Sequence, residues 1–312
     1  MAILNHGNIR WICSLGTAII PPRTDMKISA IDIGSNSVRL ATFEGGKTLY
    51  KRLCTTRLGE GLDKSPTLSP QALERTALAV KNFYEEAEED GAKKVYAFAT
   101  AAVRSATNGR DFISRVKELC GLDICVLTGE EEAECGILGA LGNSDGGIID
   151  IGGASTEITL RKGGKTVYAK SVNIGAVRLF DSAKRDRAAL QQIINEKVAE
   201  YGKVDASSFR MYAIGGTATR LAAVKHKLTE YAPRITDGTV LNLSEVDELA
   251  TRLLTDSVEH IKATTICAQS SEIMGGGTLL LSTIMRALNI SRITVSEKDN
   301  LEGFIIFKEG KL

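Results

Sequence analysis

The sequence is short of the residues that usually mark a metal or catalytic centre. It has only three histidines, His6, His226 and His260, spread far apart. That leaves little material for a His-rich metal site or a His-centred triad. Its six cysteines (Cys13, Cys54, Cys120, Cys125, Cys135 and Cys267) include no C-x-x-C pair. Zinc-ligand spacing and a disulfide framework are both missing, so they read as reduced thiols in a reducing compartment, and a cytoplasmic location is expected. A net charge of +1 gives no basic field for nucleic acid or a membrane surface, and neither is expected as a partner. No apolar run approaches the roughly 20 residues of a membrane-spanning helix. No low-complexity linker divides the chain.

What is present is the balance of an ordinary globular protein, 43% hydrophobic and 25% charged over 312 residues. That length allows two medium domains with real cores. Residues 11–20 form a short apolar stretch after Arg10, but Pro21-Pro22-Arg23 follows and no small-residue cleavage site does. The first convincing strand begins at Lys27. Met26 is therefore expected to be the natural start, or residues 1–25 a disordered extension.

An internal repeat organises the rest. Residues 31–50 read IDIGSNSVRLATFEGGKTLY and residues 149–168 read IDIGGASTEITLRKGGKTVY, aligned without a gap at an offset of 118. Each copy is a strand ending in Asp (Asp32, Asp150), a small-residue turn, a second strand, a Gly-Gly-Lys turn and a third strand. Around them, Ser69-Pro70 opens a helix that Asp90-Gly91 stops. Lys94–Thr100 and Asp123–Leu127 read as strands, with a helix over Asp111–Cys120 between them. Thr128 and Glu131 form a capping box for a helix to about Leu141. In the second half, helices are predicted over Ala188–Tyr201, Ser244–Leu254 and Ser271–Ala287, and strands over Met211–Ile214 and Ile293–Val295. A short helix from Asn300 closes the chain. Gly275-Gly276-Gly277 is expensive inside a helix, which implies a close backbone approach there. The fold class is α/β, with two related halves facing each other across a cleft.

Two related turns, Gly34-Ser35-Asn36-Ser37 and Gly152-Gly153-Ala154-Ser155, can aim backbone N–H groups at a phosphate from opposite sides. Gly215-Gly216-Thr217, a strand followed by Gly-Gly and a helix start, is a third anion site. The repeat breaks symmetry where Arg39 becomes Glu157. Asp150 and Glu157 could then both face the cleft and supply hard oxygens to Mg²⁺; alternatively Asp150 caps a turn and Glu157 is solvated. Glu130, Glu131 and Glu132 are either dipole partners of a first helical turn or the source of a general base. Arg104, among small residues after a strand, has the planar fork that suits phosphate.

Together these segments resemble the exopolyphosphatase/guanosine pentaphosphate phosphatase (Ppx/GppA) family in its short two-domain form. They are AIDIGSNSVRL (30–40), TRLGEGLD (56–63), ATAAVRSA (99–106), GEEEA (129–133), DIGGASTE (150–157), NIGAVRL (173–179) and IGGTATRLAA (214–223). The resemblance implies two RNase H-like domains of the actin-like ATPase superfamily, over 26–130 and 131–299, with 300–312 packing back on the first. It implies an Mg²⁺-dependent hydrolase that releases terminal phosphate from polyphosphate or guanosine pentaphosphate. It makes Glu132 the general base, Asp150 and Glu157 the Mg²⁺ carboxylates, the two turns the phosphate loops and Arg104 a phosphate contact, with Asp32 also in the cleft. A homodimer is expected only by this resemblance. The chain departs from the family at Ala154, which replaces a third loop glycine, near Gln269–Glu272, which lacks an Arg, and at Asn300-Leu301-Glu302-Gly303, which replaces Leu-Arg-Glu-Gly. A phosphate-binding sensor and an ATP-dependent kinase on the same fold are the rival readings.

Overall fold

The structure, a computed structural model, describes residues 26–62, 65–265 and 271–310. The expected extension over residues 1–25 and the Gln269-Ser270 pair lie outside the described residues. The first half runs β1 (Ile28–Ile33), β2 (Ser37–Glu44), β3 (Lys47–Thr55), α1 (Pro70–Glu89), β4 (Lys94–Ala99), α2 (Ala101–Ser105), α3 (Gly109–Cys120), β5 (Ile124–Val126) and α4 (Gly129–Leu141). The second begins with β6 (Gly146–Ile151), β7 (Thr156–Lys162), β8 (Lys165–Val172), α5 (Ala176–Ala183), α6 (Arg187–Val198), β9 (Met211–Ile214) and α7 (Gly215–Lys225). It continues through α8 (Pro233–Thr236), β10 (Val240–Asn242), α9 (Leu243–Thr255), α10 (Val258–Thr264), α11 (Met274–Ala287), β11 (Arg292–Val295) and α12 (Asn300–Glu309).

The sequence repeat is a repeat of topology. One sheet has the order β3-β2-β1-β4-β5, and the other, read from its far edge, has β8-β7-β6-β9-β11-β10. In each, three antiparallel strands are followed by two that join in parallel; β10 is an antiparallel addition to the second sheet. Even the irregularity is copied. The register shifts between Thr42 and Phe43 in one copy and between Leu160 and Arg161, at the same offset, in the other. This is the expected pair of RNase H-like sheets.

Local chemistry explains the helix ends. Ser69 Oγ accepts from Ala72 N with Pro70 at the first helical position, and Thr128 and Glu131 form the predicted capping box. The third glycine-rich segment differs from expectation. The helix starts at Met274 rather than Ser271, which places Gly275–Gly277 in its first turn, where they cost less. The expected close approach is real: a Cβ on Gly277 would stand 3.1 Å from the Thr217 methyl and 3.2 Å from Ala176 Cβ.

Two helices join the halves. On the first sheet, α12 buries Leu301, Phe304 and Ile305 against Ile28, Ala41 and Phe98, with Phe98 and Phe304 ring centroids 4.4 Å apart. On the second, α4 packs Ile137 against Ile148 and Ile214. The two helices cross at glycines. A Cβ on Gly303 would fall inside the van der Waals shell of Cys135 O, and one on Gly139 inside that of Asp299 O. Backbone therefore touches backbone, and no larger residue fits. Gly303→Ala should lower stability by about 1–3 kcal/mol through overpacking. Gly129→Ala, with nothing within 4 Å of the added Cβ, should leave stability unchanged or raise it by up to about 1 kcal/mol. Urea unfolding midpoints compare the two, and equal effects would refute the crossing as a packing constraint.

Candidate functional site

The duplicated Asp ends in each half at the same place. Asp32 lies directly opposite Arg39 across β1–β2, and Asp150 lies directly opposite Glu157 across β6–β7. The first pair is an ion pair, with Arg39 Nε donating to Asp32 Oδ2 at 2.9 Å. The second is two carboxylates side by side. Removal from water pushes Asp150 up to about 7, with Asp299, Glu132 and Asp32 adding to it against Arg39, and pushes Glu157 up to about 8, with Glu132 and Asp150 adding to it. Hydroxyls from Ser171, at 2.6 Å, and Ser155 partly hold the charged form of Glu157.

Arg39 reaches further than its strand partner. Its Nη1 donates to Asp299 Oδ2 at 2.6 Å. Asp299 caps α12, and Glu302 completes a capping box that takes Lys51 Nζ at 3.0 Å and the Thr48 hydroxyl at 2.8 Å. With Arg39 and Lys51 beside it, Asp299 is held down to about 2. Asp32 goes the other way, raised by burial despite Arg39, and its Oδ1 is buried with no hydrogen-bond partner among the described residues.

Glu132 is brought to this floor by the first turn of α4, whereas Glu130 is exposed and the half-buried Glu131 serves the capping box. Burial and the nearby Asp32 raise the Glu132 carboxyl, and Arg104 opposes them, Nη1 donating at 3.0 Å. The same nitrogen donates to Leu127 O at 2.7 Å, and Nε and Nη2 of Arg104 have no partner among the described residues.

The two turns are built alike. Gly34 N donates to Ser37 O, and Gly152 N to Ser155 O, each at 3.0 Å. Their carbonyls are tied backwards: Ser35 O accepts from Gly59 N, and Gly153 O from Val177 N, again one repeat apart. This explains the TRLGEGLD and NIGAVRL segments as braces for the turns. The N–H groups of Ser35, Asn36, Gly153 and Ala154 bond to no backbone acceptor among the described residues and remain donors for an anion. The turns face each other closely; a Cβ on Gly153 would stand 3.0 Å from Asn36 Cβ.

The third turn is placed differently from expectation in one respect. Gly215, at φ +80°, passes so close to Asp150 that a Cβ would stand 2.6 Å from Oδ1. The Thr217 hydroxyl, however, donates to Ile151 O at 3.3 Å and anchors α7 to β6. Asn300 Nδ2 donates to Asp150 Oδ2 at 3.4 Å. Arg39 as a bridge, Lys51, Asp299, Asn300 and Ser171 were not foreseen. For Asp299 a signal existed, since Asp299 and Glu302 have the spacing of a capping box.

For a metal, the donor set is all carboxylate oxygen. Among the described residues no three His, Cys, Asp or Glu side chains converge as a ready-made cluster. Asp150 and Glu157, with the orphaned Asp32 oxygen nearby, suit Mg²⁺, which takes one or two carboxylates and fills its shell with water and phosphate. Zinc would want His or Cys.

The raised pair sets a pH dependence. Unfolded carboxylates titrate near 4, so between about pH 4 and pH 8 the folded chain holds protons that the unfolded chain has released. Stability without divalent ions should therefore fall as pH rises through this window. Asp299 works in the opposite sense, but only below about pH 4. Melting temperature in a chelator should drop from pH 5.5 to pH 8.5, and Asp150→Asn with Glu157→Gln should flatten the profile. A flat wild-type profile would show that folding does not raise the two carboxyls.

The chain is similar to known proteins. The model of the Ppx/GppA phosphatase family matches residues 40–311. The chain is 28% identical to exopolyphosphatase 2 of Mycobacterium tuberculosis, over 91% of this chain and 99% of that protein. It is 28% identical to the bifunctional 3-dehydroquinate synthase/phosphatase of Fusobacterium nucleatum, over 89% of this chain but 46% of that protein. It is 26% identical to the guanosine-5′-triphosphate,3′-diphosphate pyrophosphatase of Vibrio cholerae, over 89% of this chain and 58% of that one. The chain thus spans about half the length of two of these relatives. The crystal structure of the Aquifex aeolicus Ppx/GppA family member superposes with a TM-score of 0.76 at 26% identity, covering 91% of this chain and 97% of that one. Among the described residues no helix is long and apolar enough to cross a membrane. With the family model matching residues 40–311, far more than half of the sequence, the chain belongs to the Ppx/GppA phosphatase family.

Proposed function

We propose that this protein hydrolyses the terminal phosphoanhydride bond of a phosphate chain, either inorganic polyphosphate or a guanosine polyphosphate, with Mg²⁺ as cofactor. The observation that carries the reading is the Asp150–Glu157 pair beside Glu132, two carboxylates with no ion-pair partner among the described residues, at the point where opposed N–H turns meet. Two relatives supply the substrate class by name, one an exopolyphosphatase and the other a pyrophosphatase of guanosine triphosphate diphosphate.

In this reading the two turns grip the terminal phosphate with backbone N–H groups. The unused Nε and Nη2 of Arg104 take the same anion, and Arg104 keeps Glu132 aimed at it. Glu132 accepts the proton of the attacking water. Its raised affinity for protons, set by burial and Asp32, brings it towards the range in which a carboxylate is an effective base at neutral pH. Asp150 and Glu157 would hold Mg²⁺, whose charge would offset that of the phosphate oxygens. Ser171 and Ser155 keep Glu157 oriented, and Gly215 leaves room for Asp150.

The test is phosphate release by purified protein with Mg²⁺, from polyphosphate and from guanosine pentaphosphate. Glu132→Gln should lower kcat by about 10²–10⁴-fold with the fold intact. Asp150→Asn should raise the Mg²⁺ concentration needed for half-maximal rate. Full turnover by Glu132→Gln would remove Glu132 as the base. Tight binding of either substrate with no release by the wild type would replace the hydrolase with a sensor.

A further inference from the structure

On the rim of the cleft, the second half presents two side chains that this mechanism does not use. Arg220, in α7, is half-buried and has no ion-pair partner among the described residues. It folds back over the third turn: Nη1 donates weakly to Gly216 O at 3.4 Å, and a Cβ on Gly216 would stand 2.6 Å from that nitrogen. Beside it lies Tyr231, whose hydroxyl is 2.6 and 2.7 Å from the two Glu297 carboxylate oxygens, with Thr219 also at hand. Tyr231 is nevertheless 50% exposed. Its hydroxyl is engaged, while half of the residue's surface stays open to solvent.

The ring is held firmly. Glu297 also takes the Thr236 hydroxyl, and its backbone N–H donates to Asp237 at 3.0 Å. Glu297 O accepts from Lys51 Nζ at 2.7 Å, and Lys51 lies 3.6 Å from Asp299 on the cleft floor. One unbroken chain of contacts therefore runs from the Arg39 network to the Tyr231 ring. The other route, from Asp150 through Gly215 and Gly216, ends on Arg220.

An exposed aromatic ring fixed by its own hydroxyl has already lost its rotamer freedom, so stacking on it costs little further entropy. An unpaired, half-buried guanidinium next to it offers charge to a phosphate and a flat face to a base. An inorganic phosphate chain could use the guanidinium but has nothing to stack. We propose that Tyr231 and Arg220 form a base-and-phosphate subsite at the cleft rim, through which this chain favours a nucleoside polyphosphate over an inorganic phosphate chain. The proposal rests on the hydrolase reading above and names its substrate class.

Steady-state hydrolysis of guanosine pentaphosphate and of polyphosphate of fixed length, by the full chain with Mg²⁺, tests it. Tyr231→Leu should raise KM for the nucleotide about tenfold, within the range known for loss of one base–aromatic stack. Its kcat, and both constants for polyphosphate, should stay within about twofold, and Tyr231→Phe should recover most of the lost affinity. Arg220→Gln should weaken the nucleotide more than polyphosphate. Equal losses on both substrates, or none, would overturn the subsite. If the wild type hydrolyses neither substrate, the hydrolase reading fails on its own. The subsite is then judged by binding of a fluorescent guanosine polyphosphate. A roughly tenfold weaker Kd in Tyr231→Leu would support it, and an unchanged Kd would overturn it.

Discussion

The arrangement of the whole cleft depends on the bridge that Arg39 makes between Asp32 and Asp299. One guanidinium joins a β-strand end of the first sheet to the cap of the last helix. A bridge this poorly exposed is secure only because every charge in it is answered; removing one partner from a buried ion pair commonly costs about 3–5 kcal/mol. Lys51 answers Asp299 and Glu302, and the Asp299 carboxyl also satisfies Leu301 N. The bridge therefore fixes where α12 begins. Because α12 crosses α4 backbone to backbone at Gly303 and Gly139, it also fixes α4 and so the height of Glu132 above the floor. Glu132 is buried at a helix start, a position that tolerates little play.

Duplication makes the chemistry of the second half legible against the first. The two sheets place corresponding residues at corresponding points, down to the shifted register on the second strand of each. Against that background, the exchange of Arg39 for Glu157 converts an ion pair into a pair of carboxylates. Evolution of a surface strand would place Glu157 in solvent at no cost. Here it is partly buried, tied to Ser171, and raised together with Asp150. The carboxylate pair belongs to the copy whose turn is brought against α5 and α7. The other copy keeps its arginine and through it holds the start of α12.

Much of this was legible in the sequence because it is local or repeated. Ser69-Pro70, the Thr128–Glu131 box and the Met211–Ile214 strand follow from residues within a few positions of each other. The paired turns and the Asp150–Glu157 pair follow from a gapless repeat. What could not be read depends on distant contacts. Arg39 and Asp299 are 260 residues apart, and no periodicity links them. The Thr217 hydroxyl resembled a phosphate donor in sequence, yet its partner is Ile151 O, a bond set by how α7 docks on β6. Leu301 is read as a lost cleft arginine by comparison with the family, but it is fully buried against the first sheet. At that site the leucine adds to the core that holds α12.

The balance of charge in the cleft constrains what can bind there. Carboxylates from Asp32, Glu132, Asp150, Glu157 and Asp299 border it, and Arg39 and Lys51 are already spent on Asp32, Asp299 and Glu302. A bare polyanion would meet net repulsion at the floor. Within the protein itself, attraction comes from groups that are not neutralised internally: the turn N–H dipoles, the spare donors of Arg104 and Arg220, which has no ion-pair partner among the described residues. Dipoles fixed by backbone bracing need no reorganisation when charge arrives, which is the condition under which they stabilise a developing transition state best. Their reach is short, however, so they can hold only the terminal phosphate. In the proposed reading the rest of the substrate is held from the rim, where Arg220 and Tyr231 lie. That division, dipoles at the reacting end and a planar, selective surface further out, suits a short phosphate chain with something flat attached better than a long uniform one.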